Sequence, residues 1–470
     1  MRLSFYGGAG KVTGSNFLIE GSRGKVLVDC GIEQGADFVE EHNYGPFHYD
    51  VKSIDALVVT HAHLDHVGRI PKLVRDGFRG KIFMTQPTRD LATLILLDSS
   101  HILAEEAERL GRLPLYDDND VETAFSLVET LDYHVEKEIA PGLSCYLRNT
   151  GHILGSASVR IRDEDGTAVA FTGDIGNSPS LLLPDWESIT DADAIVMESV
   201  YGDRLHPPQQ RRTERLREVL KRAIAKNGTI LIPAFSLERT QLMLYELSNF
   251  FAEARPPQIP VFLDSPLAIH VTSVYEKWGP TCFKKDVEDE IKREGSIFEF
   301  PFLKQTLSRD DSEAIEKVPG PKIIIAGAGM SHGGRIGKWE ARYLPDSTTT
   351  LMIVGYQAPG SPGRRISEGA RSVHLNGTEV KINAKIENLE GWSAHADRDG
   401  LLAFAEACLQ KTDGHDVSIK TKTIFTAIGE PSAERFLAQR IHDYLGATAV
   451  VPDFGQTWKI TKDSVELTQS

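Results

Sequence analysis

Four candidate metal ligands lie within the six residues HAHLDH that begin at His61. The segment directly follows the apolar run Ile54–Thr60, which predicts a buried strand. Alternate side chains of an extended chain point to one side, so the imidazoles of His61 and His63 should project together. Asp65 and His66 lie where the chain turns and can face a second point. These donors suit Zn²⁺ or another first-row metal at two adjacent centres, and a solvated histidine-rich loop is the disfavoured alternative.

Further polar residues stand at the ends of predicted strands or in loops bounded by glycine. They are Asp29 in LVDCG, His152 in GHILGSAS, Asp174 in FTGDIG, Glu198 in MESVYG and His395 in GWSAHAD. Alone, His152 or Asp174 would more often have a structural role, and His395 would be structural about as often as functional. Their order along the chain, in company with the histidine motif, favours a functional one.

Short strands and the helices between them must position these residues. In the first half, strands are predicted over Lys25–Asp29, Ile54–Thr60, Lys81–Thr85, Thr167–Thr172 and Asp193–Ser199, and a helix over Thr88–Glu108. This alternation indicates an α/β or layered αββα arrangement.

From about His206 the pattern becomes strand, Gly-rich loop and helix, repeated. The predicted helices are Arg211–Lys226 and Leu237–Phe251, and the predicted strands are Thr229–Ile232, Val261–Leu263, Lys322–Ala326 and Thr350–Val354. A doubly wound fold of this kind places function at the carboxyl ends of its strands. Short strands return at about Val373, which predicts one domain inserted into another.

Composition and charge limit the classes of protein that fit. The chain has 470 residues, of which 41% are hydrophobic and 25% charged, as in ordinary globular proteins. Its net charge of −15 argues against a nonspecific polyanion binder and confines any phosphate contact to local basic groups. Four scattered cysteines, no signal-peptide pattern and no long apolar run predict a cytoplasmic protein that does not enter a membrane.

The ordered motifs resemble a known family. The HxHxDH signature, followed by His152 and Asp174, resembles the metallo-β-lactamase superfamily. The motifs at Glu198 and His395, with IPAFSLERTQ, DSPLA, AGAGMSHGGR and GYQAPGSPGRR, resemble its β-CASP branch, which includes the nuclease subunit of pre-mRNA 3′-end cleavage and bacterial ribonuclease J. The resemblance covers essentially the whole chain.

The resemblance implies an α/β fold with an αββα metallo-β-lactamase sandwich and an inserted, doubly wound α/β β-CASP domain. The sandwich would comprise residues 1–206 and 373–470, and the insert would comprise residues 207–372. Single-stranded RNA would lie in a cleft between the two domains. Homodimers are common among prokaryotic relatives, so the resemblance also implies self-association.

The resemblance also assigns metal ligands to two Zn²⁺ sites. His61, His63 and His152 would hold one metal, Asp65 and His66 would hold the other, and Asp174 would bridge both. Asp29 would orient the histidine ligands through hydrogen bonds.

Four residues are implied to be catalytic: Asp29, Asp65, Glu198 and His395. Two adjacent divalent metals can supply a hydroxide nucleophile and stabilise a phosphoryl-transfer transition state. The leaving oxygen also needs a proton. His395 paired with Glu198 is the candidate general acid, because a neighbouring carboxylate keeps imidazole protonated near neutral pH.

Two Gly-rich turns, at residues 326–334 and 355–363, are predicted to hold the phosphate backbone. Their exposed N–H groups and neighbouring arginines suit an anion. The predicted phosphate- or substrate-binding residues are Ser331, Gly333, Arg335, Tyr356, Gly363, Arg364 and Arg365.

One motif departs from the family. β-CASP ribonucleases usually carry a further histidine after a late strand, in a His-Gly-Glu context, whereas this chain has Ile428-Gly429-Glu430. Isoleucine cannot coordinate a metal. Water or substrate could replace the ligand, the second metal could bind only with substrate, or the protein could be a non-catalytic RNA-binding paralogue. An aliphatic residue here also resembles the DNA-processing enzymes of the Artemis type.

The intact remaining motifs favour a zinc-dependent nuclease. The expected substrate is single-stranded RNA, cut endonucleolytically and also 5′→3′ exonucleolytically. A DNA nuclease of the same fold and a binding module without catalysis remain alternatives. A hydrolase of thioesters or lactams is disfavoured, because a small substrate needs no long phosphate-binding cleft.

Overall fold

Two compact units make up the chain: Met1–Leu205 together with His395–Ser470 (the first unit), and His206–Ala394 (the second unit). The computed structural model describes residues 1–34, 39–254, 257, 259–358, 360–410 and 422–469. The second unit extends 22 residues beyond the predicted boundary at residue 372. The reason is that strand Lys385–Asn388 pairs in parallel with Thr350–Ile353 and so completes the sheet of that unit.

The first unit contains two sheets in its described residues. One sheet has the strand order Val465–Gln469, Thr457–Ile460, Arg2–Phe5, Phe17–Glu20, Lys25–Val28, Ala56–Val58, Lys81–Met84 and Val128–Thr130. The other has the order Thr448–Val450, Thr423–Ala427, Ala194–Glu198, Ala168–Phe171, Ala157–Asp163, Leu143–Asn149 and Lys137–Ala140. Each sheet is parallel at one end and antiparallel at the other.

Aromatic side chains join the two sheets. The rings of Phe5 and Phe425 lie 5.3 Å apart, and those of Phe17 and Phe171 lie 5.5 Å apart. All four side chains are buried, and aromatic pairs at this separation add attraction to their burial. The two inner faces therefore form the predicted sandwich core.

Helices cover the outer faces of the sandwich. The described α-helices of the first unit are Val39–Tyr44, Leu64–Val67, Ile70–Arg75, Gln86–Leu110, Asp118–Ser126, Arg398–Leu409 and Pro431–Leu445, with a 3₁₀ turn at Val51–Ser53. The last two helices contribute Phe404 and Leu437 to a buried cluster that contains Ile195 and Ile424 of the second sheet. This completes the predicted αββα order.

The longest helix illustrates how local sequence sets the boundaries. Gln86–Leu110 begins after Thr85, whose hydroxyl accepts a hydrogen bond from the Thr88 N–H. It ends at Gly111, which has φ of 65°. A side-chain cap at the start and a left-handed glycine at the end satisfy backbone groups that the helix itself leaves without partners.

The second unit is built on a parallel sheet. Its strand order is Leu303–Gln305, Val261–Leu263, Lys322–Ala326, Thr229–Pro233, Thr350–Ile353 and Lys385–Asn388, with a separate hairpin of Ser372–Leu375 and Thr378–Lys381. The described helices are Gln209–Ala225, Arg239–Ala254, Pro266–Cys282, Lys285–Glu294, Arg309–Ala314, Gly334–Tyr343 and Pro362–Ser367, with a 3₁₀ turn at Ile315–Lys317. The predicted doubly wound pattern is confirmed.

One predicted helix begins later than expected. The helix expected from Leu237 begins at Arg239. Glu238 has φ of 66°, a left-handed conformation that cannot continue a right-handed helix.

Among the described residues, no helix is both long and apolar enough to cross a membrane.

Candidate metal centre

The candidate ligands meet because several strands of the first unit end at one edge. In the first sheet, Phe5 pairs with Phe17, Phe17 with Val28, and Val28 with Val58. In the second sheet, Phe171, Val196 and Phe425 occupy one row. Ring contacts of Phe5 with Phe425 and of Phe17 with Phe171 join the two rows. The loops that follow these strands therefore lie at one end of the sandwich, except for strand Phe17–Glu20, which is antiparallel to its neighbours and begins there.

Three histidines and an aspartate form a compact cluster at this edge. His61, His63, His152 and Asp174 each offer one ligand atom, and all these atoms lie within 4.8 Å of one another. Asp174 Oδ2 lies 3.3 Å from Nε2 of both His61 and His152. His63 Nδ1 lies 3.1 Å and 3.2 Å from the same two nitrogens. The predicted ligands of the first metal are thus already assembled.

Polar atoms of this cluster and of the neighbouring His66 are buried without the partners they need. His66 Nε2 and Asp174 Oδ1 have no hydrogen-bond partner among the described residues, and they lie 3.5 Å apart. Buried polar atoms in folded proteins are nearly always satisfied. A divalent cation that accepts both lone pairs would satisfy them, and nitrogen and carboxylate donors are the ligands such cations take. The residues present therefore fit a metal.

The environment keeps the three histidines of the compact cluster neutral. Burial lowers the pKa of His63 and of His152 well below the usual range for imidazole. Burial also lowers the pKa of His61. Neutral imidazole is the form that binds a metal ion.

Asp29 holds His66 rather than the compact cluster. Its Oδ2 lies 2.7 Å from His66 Nδ1, and its carboxylate accepts hydrogen bonds from Thr60 N–H at 2.8 Å and from Thr60 Oγ1 at 2.9 Å. Burial lowers the pKa of His66, but the carboxylates of Asp174 and Asp29 outweigh it and raise that pKa well above its usual range. Asp29 therefore has the geometry of a residue that orients a ligand.

The second predicted ligand set is looser than the first. Asp65 Oδ2 lies 3.9 Å from His66 Nε2. Within the described ranges, Asp65, His66 and Asp174 are not one of the groups whose ligand atoms all lie within 4.8 Å of one another. Burial raises the pKa of Asp65.

A histidine–carboxylate pair lies beside the compact cluster. His395 Nδ1 is 3.1 Å from Glu198 Oε2 and 3.9 Å from Asp174 Oδ2. Glu198 is fully buried and accepts a hydrogen bond of 2.5 Å from the N–H of Ile175, which fixes its carboxylate. Burial lowers the pKa of His395, but Glu198 and Asp174 raise it to about 9. The imidazole is therefore held in its protonated form.

Ile428 lies at the end of the strand beside Glu198. Ala427 pairs with Glu198, so Ile428 is one residue beyond the row at which Glu198 stands. Its side chain is buried, and its N–H donates a 2.5 Å hydrogen bond to the Gly8 carbonyl. Ile428 thus takes a buried, apolar place at the edge where the ligands converge.

The predicted phosphate-binding residues lie in the second unit, and most of them have partners there. Arg335 Nη1 donates a 2.6 Å hydrogen bond to the buried carboxylate of Asp264, and the guanidinium also donates to the carbonyls of Thr306 and Leu307. These contacts favour a structural role for Arg335. Of the predicted arginines, Arg365 is exposed and makes no ion pair with a described residue.

The remaining predicted residues frame the two Gly-rich turns. Arg364 pairs with Glu368 one turn along its helix at 2.6 Å. The Ser331 hydroxyl donates to the buried Glu340, and Gly363 N–H donates to the Met330 carbonyl, so this N–H is not available to a phosphate. Two others are more accessible. Tyr356 is half-buried and Gly333, with φ of 78°, is exposed before helix Gly334–Tyr343.

One residue of the centre was not predicted. The Thr60 hydroxyl lies 3.0 Å from His61 Nδ1 and 2.9 Å from Asp29 Oδ2, so it links a candidate ligand to the orienting carboxylate. Its position as the last residue of the predicted strand, directly before the histidine motif, was the available signal.

Three family models match the chain. They are a Beta-Casp domain over residues 240–366, the metallo-beta-lactamase superfamily over residues 9–78, and a Zn-dependent metallo-hydrolase RNA specificity domain over residues 379–452.

Several curated proteins are similar over most of the chain. A ribonuclease of Thermus thermophilus is 36% identical over 406 residues, which cover 86% of this chain and 91% of that protein. Transcription termination factor FttA of Methanosarcina mazei is 31% identical over 95% of this chain and 69% of its own. An RNase J-like protein of Methanocaldococcus jannaschii is 32% identical over 86% of this chain and 88% of its own.

A solved structure agrees at the level of fold. A protein of unknown function from Enterococcus faecalis aligns with a TM-score of 0.51 and 12% identity, over 97% of this chain and 99% of that one. The family models match parts of the sandwich and most of the insert, and the Thermus ribonuclease exceeds 30% identity over most of both chains. The chain belongs to the β-CASP branch of the metallo-β-lactamase superfamily.

Proposed function

We propose that this protein is a zinc-dependent ribonuclease that hydrolyses phosphodiester bonds of single-stranded RNA, endonucleolytically and also from the 5′ end. One observation carries the proposal: Asp174 belongs both to the compact cluster of candidate metal ligands and to a group with Glu198 and His395. The first group can hold a cation at a phosphate and the second can supply a proton. Relatives named ribonuclease and RNase J-like protein support RNA as the substrate class.

Each part of the site has a proposed role. His61, His63, His152 and Asp174 would hold one metal, and Asp65 and His66 would complete a second site with Asp174. When bound, divalent ions lower the pKa of water and neutralise charge on a phosphoryl group. Asp29 would orient His66. His395 would give its proton to the leaving oxygen, and Glu198 would hold the ring in place.

The choice of zinc rests on the donor set. Imidazole nitrogens with carboxylate oxygens suit Zn²⁺ and related first-row ions. Protein stripped with a chelator should regain cleavage on addition of Zn²⁺, with metal content measured by mass spectrometry. Restoration by Mg²⁺ alone, with no Zn²⁺ bound, would contradict this choice.

Ile428 supports a second candidate, a DNA nuclease of the same fold. Matched single-stranded RNA and DNA oligonucleotides, each with a 5′-hydroxyl or 5′-monophosphate, would decide between them. RNA should be cut faster, and His63→Ala protein is the control for contaminating nuclease. Faster cleavage of DNA would favour the second candidate, and wild-type protein no more active than H63A would leave only a binding role.

Arg365 is the predicted arginine best placed to meet a phosphate. Arg365→Ala should weaken binding of single-stranded RNA and lower the slope of log Kd against log salt by about 0.7, the value for one phosphate contact. Fluorescence anisotropy between low and moderate salt measures both quantities. An unchanged slope would remove Arg365 from the binding surface.

Arg335→Ala is the control for this prediction. Loss of the guanidinium leaves the buried Asp264 carboxylate with fewer hydrogen-bond donors, so the free energy of unfolding should fall by about 1–3 kcal/mol. The slope of log Kd against log salt should stay unchanged. Urea denaturation followed by fluorescence measures the stability. A lowered slope with unchanged stability would show that Arg335 contacts phosphate.

Two further proposals concern the setting of the protein. We propose a reducing, cytoplasmic location, supported by four free cysteines, of which Cys30, Cys145 and Cys408 are buried. We also propose a homodimer, as the family resemblance implies. Sedimentation at several protein concentrations tests it.

A further inference from the structure

Three aromatic side chains lie side by side on the surface of the first unit. The rings of Tyr6 and His48 are nearly parallel, with centroids 6.1 Å apart and an angle of 9°. The ring of Phe454 meets His48 edge-on at 5.0 Å. Phe454 is 49% exposed, His48 is exposed and Tyr6 is half-buried. We call these three residues the aromatic platform.

The platform rests on ordered structure. Tyr49, which is half-buried, lies beneath Tyr6 with its ring 5.4 Å away. Two backbone hydrogen bonds join the loop that carries Phe454 to the first strand. The Gly455 N–H donates to the Phe5 carbonyl, and the Phe5 N–H donates to the Gln456 carbonyl. The rings are therefore held at the surface by their surroundings, where they expose apolar area to water.

The platform emerges from the same edge of the sheet as the metal centre. Tyr6 directly follows Phe5, which shares a row with Val28 and Val58. Asp29 directly follows Val28, and the histidine motif begins three residues beyond Val58. Three strand spacings separate the first strand from the one that precedes the motif, a distance of about 15 Å.

A second contact links the platform to the centre. Gly8, two residues beyond Tyr6, accepts the hydrogen bond from the N–H of Ile428. A short segment of backbone, from Tyr6 to Gly8, thus connects the platform to the strand end that carries Ile428. Gly8 and Ile428 are both buried, so this contact fixes the position of the platform relative to the ligand edge.

The local charge indicates which part of a polymer fits. Asp50 and Asp453, both exposed, stand beside the platform in sequence. Their carboxylates repel phosphate groups, so the platform suits a flat, uncharged group rather than the phosphate backbone. Tyr, Phe and His rings are the side chains on which unpaired nucleobases stack.

We propose that the aromatic platform stacks a nucleobase of the single-stranded RNA, a few nucleotides from the scissile phosphate. The inference rests on the proposed function for its ligand. Every base has a π face, so the contact tolerates any sequence but requires an unpaired strand. It would hold the strand in register with the metal centre and select against duplex.

Binding to an uncut oligonucleotide tests the platform separately from hydrolysis. In a His63→Ala background, Phe454→Ala should raise the Kd for single-stranded RNA about tenfold, within the range measured for loss of one stacked base. Phe454→Trp should keep the wild-type affinity. Tyr444→Ala is the matched control, because Tyr444 is 67% exposed at the far end of helix Pro431–Leu445 and should change Kd less than about twofold.

Abasic substitution locates the stacked base. A single abasic nucleotide placed at successive positions should weaken binding most at one position near the cleavage site. At that position, Phe454→Ala should add no further loss, because both changes remove the same contact. Equal losses at all positions, or full additivity, would overturn the proposal.

The remaining outcomes separate this inference from the proposed function. If wild-type protein binds RNA without cutting it and the abasic pattern holds, the nuclease proposal fails and the platform stands. If wild-type protein cuts RNA and Phe454→Ala leaves KM and Kd unchanged, the platform fails alone. A change in self-association on sedimentation, with RNA affinity unchanged, would identify the platform as a protein interface instead.

Discussion

Asp174→Asn should lower kcat/KM for RNA cleavage by about 10⁴-fold or more and reduce the metal content of the purified protein. Asp174 lies in both clusters, 3.3 Å from the ligand nitrogens of His61 and His152 and 3.9 Å from His395. Asparagine keeps the shape but removes the charge that a shared cation needs. Groups that act as one catalytic unit lose most of their effect when one member is removed.

The measurement pairs single-turnover cleavage with metal analysis. Asp165→Asn is a suitable control, since Asp165 lies in the turn of the hairpin that precedes Asp174 and is far less buried. Circular dichroism should show that both variants remain folded. Wild-type activity and metal content in D174N would refute the assignment of Asp174 as the shared ligand.

His395→Ala should reduce kcat by about 10²–10⁴-fold while metal content stays unchanged, the range for loss of a general acid. The pairing of His395 with the buried Glu198 and its raised pKa of about 9 both favour a proton donor. The loss should nearly vanish with a p-nitrophenyl phosphodiester, because p-nitrophenolate leaves without receiving a proton. That difference between leaving groups separates proton donation from a general loss of structure.

Metal analysis decides the competing role of His395. Asp174, Glu198 and His395 also have ligand atoms within 4.8 Å of one another, so they could instead hold a cation. If H395A loses one metal per chain, or if its loss is equal for both leaving groups, His395 is a ligand and not the acid. His442→Ala, on helix Pro431–Leu445, is the control for removal of a histidine elsewhere in this unit.

Much of the centre could be predicted because its parts are local or ordered along the chain. The spacing of His61, His63 and His66 is a property of six consecutive residues, and the strand before them is a plain apolar run. The pairing of Glu198 with His395, 197 residues apart, required the family resemblance as well. No periodicity or spacing in the chain relates two positions at such a distance.

The limits of prediction are clearest at the boundary of the insert and at the arginines. Residues 373–394 have the short-strand pattern of a sandwich, but strand Lys385–Asn388 hydrogen-bonds to Thr350–Ile353 in the second unit. Strand patterns indicate which residues pair with some neighbour, and only the tertiary structure selects the neighbour. Likewise, the sequence alone does not distinguish Arg335 from Arg365. Only the structure shows that Asp264 lies beside Arg335.

The class of chemistry follows from the amino-acid sequence, because donor types and their local spacing are covalent properties of the chain. Local strand and helix patterns also indicated an α/β or layered αββα arrangement with an insert, and the family resemblance then implied the sandwich. Only the three-dimensional arrangement shows that Asp174 is shared by two clusters, that Asp29 contacts His66, and that the aromatic platform emerges from the same sheet edge as the metal centre. Those relations depend on the alignment of strand ends across two sheets, which sets distances between side chains that are remote in sequence.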